Sequence, residues 1–324
     1  MRSQPKLQRF SALDPHGFHE VAYTEWGGEK AGRIVLCVHG LTRNSRDFDA
    51  LAAALSLHFR VACMDVVGRG RSDWLKHGED YGFSLYQSDA AALIARLTAV
   101  RRLVSPARGW RHFFGQQDAS YLELRQVDWV GTSMGGLIGM LLAAREGSPI
   151  RRLVLNDVGP MVPWSALRRL KGAHGNGPSH FENLVVAEQY LREACASFGP
   201  ISDEQWREVT RHSVSELESG GFRLGWDPAI IETMQGRGSD GTKFTADFFG
   251  IALWSIWDQV RCPVLVLRGE DSDLLTADTV RRMQESGPPL QVVEFPGVGH
   301  APWLMSEEQI TVVRDFLLAA EDVS

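Results

Sequence analysis

A chain of 324 residues, 44% hydrophobic and 23% charged, is long enough for one large core, or for a core with a smaller inserted domain. Its formal net charge of −6 leaves no basic stripe to neutralise phosphates, which argues against a nucleic-acid role; short basic pairs such as Arg101-Arg102 and Arg168-Arg169 read as solvated helix faces. No apolar run approaches the roughly 18 residues of a membrane span, and the polar start "MRSQPKLQRFSALDPHG" lacks a secretory apolar stretch.

In chain order, "LQRFSAL" and "HEVAYTEW" predict an antiparallel entry. "RIVLCVHG" (33–40) is a continuous apolar run ending in glycine, the pattern of a parallel strand buried on both faces. "SRDFDALAAALSLH" (45–58) has helical spacing, with Ser45 as its expected N-cap. A strand at 59–65, a helix at 84–100, a strand at 126–133, a helix at 134–146 and a strand at 150–157 continue the alternation. It breaks over 160–255, where helical, polar-aromatic stretches carry no clear strand, and resumes with strands at 262–269 and 290–295 and helices at about 276–286 and 306–320. Strand–helix alternation predicts an α/β protein whose parallel sheet is covered on both faces, with a core of 1–159 and 256–324 and a helical cap at 160–255. Residues 101–125 exceed an ordinary helix-to-strand loop and read as a surface excursion or a lip of the active-site entrance. Cys37, Cys63, Cys195 and Cys262 lack metal-ligand spacing and read as reduced core thiols of a cytoplasmic protein.

"GTSMG" (131–135) matches G-x-S-x-G between a strand and an apolar helix. Its glycines permit a sharp turn that pushes Ser133 out at the sheet edge, above a helix N-terminus that favours developing negative charge. A serine hydroxyl needs a base. Of ten histidines, His300 in "PGVGHAPW" lies directly after the last strand, where a glycine-rich loop can bring it over Ser133. His39-Gly40 ends the strand at 33–40; His39 reads as a structural hydrogen-bonding residue. The turn after it can aim a backbone N–H at an oxyanion, from Leu41 or, as second candidate, Thr42, together with the N–H of Met134. Three aspartates end strands where an acid could orient the histidine: Asp157 in "VLNDVGP", and Asp271 and Asp273 in "RGEDSDLL".

Together "VHGLTRNSRDF", "DVVGRGRSD", "GTSMGG" and "GVGHAPW", with the order Ser133 then His300, resemble the α/β-hydrolase superfamily in its capped, lipase- and esterase-like branch. The resemblance covers nearly the whole chain. It implies eight mostly parallel strands with helices on both faces, no cofactor or metal, and two-step ester hydrolysis through an acyl-enzyme, with Ser133 as nucleophile and His300 as base. Many relatives place the acid three residues after the glycine closing the strand before the last helix–strand unit, and here that position is Ser272. The pairing of "NDVGP" with "RGEDS" resembles a subgroup of small esterases and the acetamidomethylene-succinate hydrolases, whose acid comes from the earlier strand. This puts Asp157 first, Asp273 second and Asp271 third.

The expected activity is hydrolysis of a carboxylic ester of a small or medium, largely apolar molecule, by a monomer or homodimer without nucleic-acid or membrane partners. Rivals are a carbon–carbon bond or amide hydrolase, a cofactor-free dioxygenase on the same fold, and a non-catalytic ligand receptor. The aromatics Trp164, Phe181, Trp206, Trp226, Phe248, Phe249, Trp254 and Trp257 are divided between cap core and pocket lining. The Arg168-Arg169 pair could recognise a carboxylate.

Overall fold

The structure, a computed structural model, describes residues 4–28, 32–104, 119–124, 126–175, 177–233, 245–246 and 250–320. Its centre is an eight-stranded sheet. The strands are β1 (Lys6–Asp14), β2 (Gly17–Trp26), β3 (Ile34–Val38), β4 (Arg60–Met64), β5 (Val127–Thr132), β6 (Ile150–Asn156), β7 (Val264–Gly269) and β8 (Leu290–Phe295). Their spatial order is β1-β2-β4-β3-β5-β6-β7-β8. The pairs β1–β2 and β2–β4 are antiparallel, and every later neighbour is parallel. All five side chains of β3, "IVLCV", are buried, as a strand with helices on both faces requires.

Helices α1 (Asp49–Leu55), α2 (Phe83–Thr98) and α3 (Met134–Ala143) alternate with the first strands, and α9 (Ala277–Glu285) and α10 (Glu307–Leu318) with the last. Two apolar clusters lie on opposite faces of the sheet. One packs Leu36, Met64, Trp129 and Leu155 with Leu93 and Ile138. The other packs Cys37, Val61, Val130 and Leu267 with Leu51, Leu55, Val313 and Phe316. No helix among the described residues is long and apolar enough to cross a membrane.

Between β6 and β7 lies an insert carrying α4 (Trp164–Gly175), α5 (Leu184–Ala194), α6 (Asp203–Ser213), α7 (Ala229–Thr233) and α8 (Trp254–Trp257). It is not purely helical. Met161–Pro163 pairs with Gly250–Ala252, which pairs in turn with Thr245–Ala246, and Val214–Glu216 pairs with Phe222–Leu224. These ladders of two or three residues are too short for period-two alternation to register. The insert docks on the turn after β4: Asp227 N–H donates to Gly68 O at 2.8 Å, Gly70 N–H donates to Gly225 O at 2.9 Å, and Tyr81 O–H donates to Asp227 at 2.7 Å.

One local expectation changes. Asn44, not Ser45, caps the 3₁₀ turn Ser45–Phe48 by accepting from Arg46 N–H, while Ser45 N–H is held by Asp65 at 2.7 Å. Within the 101–125 excursion, Ala99–Val104 and Ala119–Leu124 form an antiparallel pair; residues 105–118 and 125 lie outside the described residues.

The parallel register aligns the C-terminal ends of five strands. Val38 is opposite Gly131, Thr132 is opposite Asn156, Asn156 is opposite Leu267, and Gly269 is opposite Phe295. The residues following these ends, His39-Gly40, Ser133, Asp157, Glu270–Asp273 and the loop to His300, therefore meet along one edge. In open α/β sheets this edge is where ligands bind.

Candidate active site

Ser133 joins β5 to α3 with φ 51° and ψ −116°, a left-handed conformation that an L-residue adopts only at a cost. Small neighbours make this turn possible. A Cβ on Gly131 would collide with the Gly135 carbonyl, and one on Gly135 with the Val38 carbonyl. Trp129, buried under α3, donates from Nε1 to Gly135 O at 3.0 Å and fixes the helix start. Ser133 thus stands at a helix N-terminus, half-buried, with its hydroxyl at the strand edge.

Ser133 Oγ lies 2.9 Å from His300 Nε2, and His300 Nδ1 lies 2.7 Å from Asp157 Oδ2. A carboxylate only accepts, so Nδ1 carries the proton and Nε2 is left to accept from the serine. Asp157 is fully buried. Its Oδ1 accepts from Gly269 N–H at 2.8 Å, and its Oδ2 also accepts from Ser272 Oγ at 2.5 Å. The serine at the usual acid position is therefore a donor to the carboxylate coming from β6. Of the other two aspartates, Asp271 is exposed. Asp273 receives both Nε and Nη2 of Arg169 at 2.6 Å, and this guanidinium holds its carboxyl below the usual range.

The histidine loop is fastened from two sides. Asn156 Nδ2 donates to Thr132 Oγ1 at 3.0 Å and to Pro302 O at 2.8 Å, linking β5 to the loop. From the insert, Ser197 Oγ donates to His300 O at 2.9 Å and Ser197 O accepts from Gly299 N–H at 2.7 Å.

Gly40 follows β3 beside Ser133; a Cβ on it would sit 3.6 Å from Ser133 Cβ. His39 is fully buried. Its Nε2 accepts from Val66 N–H at 3.0 Å, so Nδ1 carries the proton and donates to Gly40 O at 2.7 Å. Burial, with Arg69 and Arg43 nearby, lowers its pKa to about 3, which keeps the ring neutral. Arg43 N–H donates to the same Gly40 carbonyl at 3.2 Å. In a trans peptide the Leu41 N–H points opposite to the Gly40 carbonyl. His39 thus sets the direction of the Leu41 N–H. Met134 is the first residue of α3, and its N–H has no intrahelical acceptor by position.

A pocket opens over Ser133. The edge loops supply Leu41, Thr42, Arg43, His300 and Trp303, and the insert supplies Arg169, Tyr190, Leu191, Phe198, Leu224 and Trp226. Of the aromatics singled out in the sequence, only Trp226 lines it among the described residues. Phe181, Trp206 and Trp257 are buried in packing, and Trp254 lies under Arg282 at 3.9 Å. Trp164 is half-buried and not part of the lining, and Phe248 and Phe249 lie outside the described residues. Arg43 sits in the pocket wall, ion-paired to Asp47 at 2.6 Å and 5.3 Å from the Trp303 ring centre. Tyr190 and Phe198 carry no pattern of their own in the sequence; Arg43 and Trp303 stand inside "VHGLTRNSRDF" and "GVGHAPW", which carry no signal of pocket contact. Among the described residues no group of three or more His, Cys, Asp or Glu is placed to hold a metal ion.

Sheet order, the serine turn and the histidine loop define an α/β hydrolase. The chain belongs to the Alpha/beta hydrolase family, which residues 35–312 match, and it is a hydrolase. It is 39% identical over 323 residues to the 3-hydroxybutyrate-oligomer hydrolase of Cupriavidus necator, covering 99% of this chain and 100% of that one. It is 28% identical over 271 residues to the 2-(acetamidomethylene)succinate hydrolase of Mesorhizobium japonicum, covering 83% of this chain and 82% of that one. Among solved structures, an alpha/beta hydrolase of Novosphingobium aromaticivorans superposes with a TM-score of 0.77 at 30% identity, over 97% of this chain and 98% of that one.

Proposed function

We propose that this hydrolase cleaves carboxylic esters through an acyl-enzyme on Ser133, and that its substrates are short oligoesters of a small hydroxy acid. The observation that carries the reading is the continuous relay from Ser133 Oγ through His300 to a buried Asp157, opening into a pocket with Tyr190, Phe198 and Trp226 in its wall. As Ser133 Oγ attacks the ester carbon, its proton passes to His300 Nε2, and Asp157 stabilises the imidazolium. The carbonyl oxygen becomes an oxyanion received by the N–H groups of Leu41 and Met134. The tetrahedral species collapses, the alcohol leaves with the proton from Nε2, and water activated by His300 then releases the acid. The relative that cleaves 3-hydroxybutyrate oligomers supports the substrate class, since such oligomers are joined by ester bonds.

A serine-directed fluorophosphonate is expected to add one group to the intact protein, on Ser133, and Ser133→Ala is expected to abolish both labelling and turnover of a 3-hydroxybutyrate dimer. Labelling that survives the substitution overturns the nucleophile. A labelled enzyme that leaves every ester intact while hydrolysing an amide or a vinylogous 1,5-diketone overturns the ester reading.

A further inference from the structure

Arg169 and Asp273 form an ion pair between α4 of the insert and the loop after β7, one residue from the Ser272 that binds Asp157. The proposed reaction gives this pair no task, yet Arg169 lines the same pocket as Ser133 and His300. We infer that Arg169 is the specificity residue that binds the free carboxylate of the substrate, so that the enzyme acts on ester acids in preference to neutral esters. The inference rests on the ester-hydrolase reading and deepens it.

Three observations carry it. The first is access. The other guanidinium in the pocket wall, Arg43, has a side chain only 7% exposed, whereas that of Arg169 is 42% exposed, enough to meet a ligand. The second is geometry. The bonds to Asp273 use Nε and one edge of Nη2, so the Nη1 amino group takes no part in the pair. Asp273 thus fixes the plane of the fork before a ligand arrives, which lowers the ordering cost of binding. The third is reach. In a dimer of 3-hydroxybutyrate the carboxylate carbon lies three bonds beyond the ester oxygen that leaves, so a cation must stand at the pocket wall, not at a remote site. Because the pair is half-exposed, the Asp273 charge is weakly held and an incoming carboxylate can compete for the guanidinium.

Asp273 also carries a charge of the wrong sign for the ligand, and this separates a cation that binds substrate from a pair that only latches insert to core. The measurement is the ratio of kcat/KM for the free-acid 3-hydroxybutyrate dimer to kcat/KM for its methyl ester, taken within each protein so that the folded fraction cancels. The wild type is expected to favour the free acid, and added salt is expected to reduce that preference. Arg169→Gln is expected to lower the ratio roughly tenfold, the loss of one charge-assisted contact. Asp273→Asn is expected to hold the ratio at or above the wild-type value. Equal ratios in wild type and Arg169→Gln overturn the assignment, and so does an equal fall in both variants, which marks a structural latch. If instead no ester is turned over by the wild type, the ester-hydrolase reading fails, whereas turnover of both esters with an unmoved ratio refutes the carboxylate contact alone.

Discussion

At the scale of single residues, Asp157 can be separated from Asp273 by removing one charge at a time. Asp157 Oδ2 accepts from two donors, His300 Nδ1 and Ser272 Oγ. An asparagine can satisfy the histidine through its oxygen without the charge, or present its amide group and force the proton onto Nε2. In the second case His300 has nothing with which to accept the Ser133 proton. The corresponding change in a serine protease triad lowered turnover about 10⁴-fold. Gly269 N–H needs an acceptor at the Oδ1 position and therefore favours the second orientation, so Asp157→Asn is expected to reduce kcat by a comparable factor while near-ultraviolet circular dichroism stays native. Asp273→Asn, which breaks only the Arg169 pair, is expected to cost far less in kcat on a neutral ester. A dead Asp273→Asn beside an active Asp157→Asn places the acid in "RGEDSDLL".

These aspartates are hard to tell apart in the sequence for a physical reason. Ser133 and His300 announce themselves because a sharp turn needs glycines and a loop histidine needs glycine-rich approaches. A strand-end aspartate carries no such marker, and three of them compete. Ser272 reads as a missing charge in the sequence, and only its bond to Asp157 shows that a hydroxyl donor there complements a carboxylate from the neighbouring strand.

At the scale of elements, the parallel strands were legible because strands covered on both faces are apolar throughout, and their expected limits differ from the observed ones by a residue or two. The insert was less legible because its pairings are brief and distant, as between Met161–Pro163 and Gly250–Ala252. Its aromatics also divide in a way that spacing alone does not disclose. The ring centre of Phe198, in the pocket wall, is 4.8 Å from that of Trp303, while Trp206, buried and outside the lining, meets Trp303 edge-on at 5.5 Å. Trp254 packs under Arg282, away from the lining. Phe198→Ala is therefore expected to shift preference among p-nitrophenyl esters toward longer acyl chains. Trp254→Ala is expected to lower the melting temperature and leave the order of preference as it was. Equal scaling of all chain lengths in Phe198→Ala, or a reordered preference in Trp254→Ala, reverses this division.

For the molecule as a whole, three histidines tie stability to pH with opposite signs. Burial, reinforced by Arg46, lowers the pKa of His212 to about 4, although Glu208 nearby pulls the other way. Burial likewise lowers the pKa of His39 to about 3. Below the ordinary value of 6.5 the unfolded chain takes up protons at both positions that the folded chain refuses, so their contribution to stability falls with falling pH. His19 has the other sign. Burial pulls its pKa down, but the Asp89 bond at 3.0 Å and the Asp14 carboxylate at 3.4 Å outweigh it and raise the value. This imidazolium ties β2 to α2 and to the end of β1, and its contribution is complete below 6.5 and lost as pH rises through the raised folded value. Burial also raises Asp49, Asp65 and Asp89, whose contributions are present below 3.8 and lost as pH rises through their folded values. Single-histidine variants cancel this background except at Asp89, which His19 touches. Urea unfolding followed from pH 8 to pH 4 is expected to show the wild type losing stability relative to His212→Gln as pH falls below 6.5, by about 2–3 kcal/mol over the full range. Relative to His19→Gln, the wild type is expected to lose stability as pH rises above 6.5. His212 is partly exposed and reached by Arg46, Arg71, Arg211 and Glu208, so salt is expected to shrink the first difference more than the buried second. A pH-independent gap between wild type and His212→Gln removes that histidine from the account, and a gap to His19→Gln that widens with rising pH removes the buried bridge.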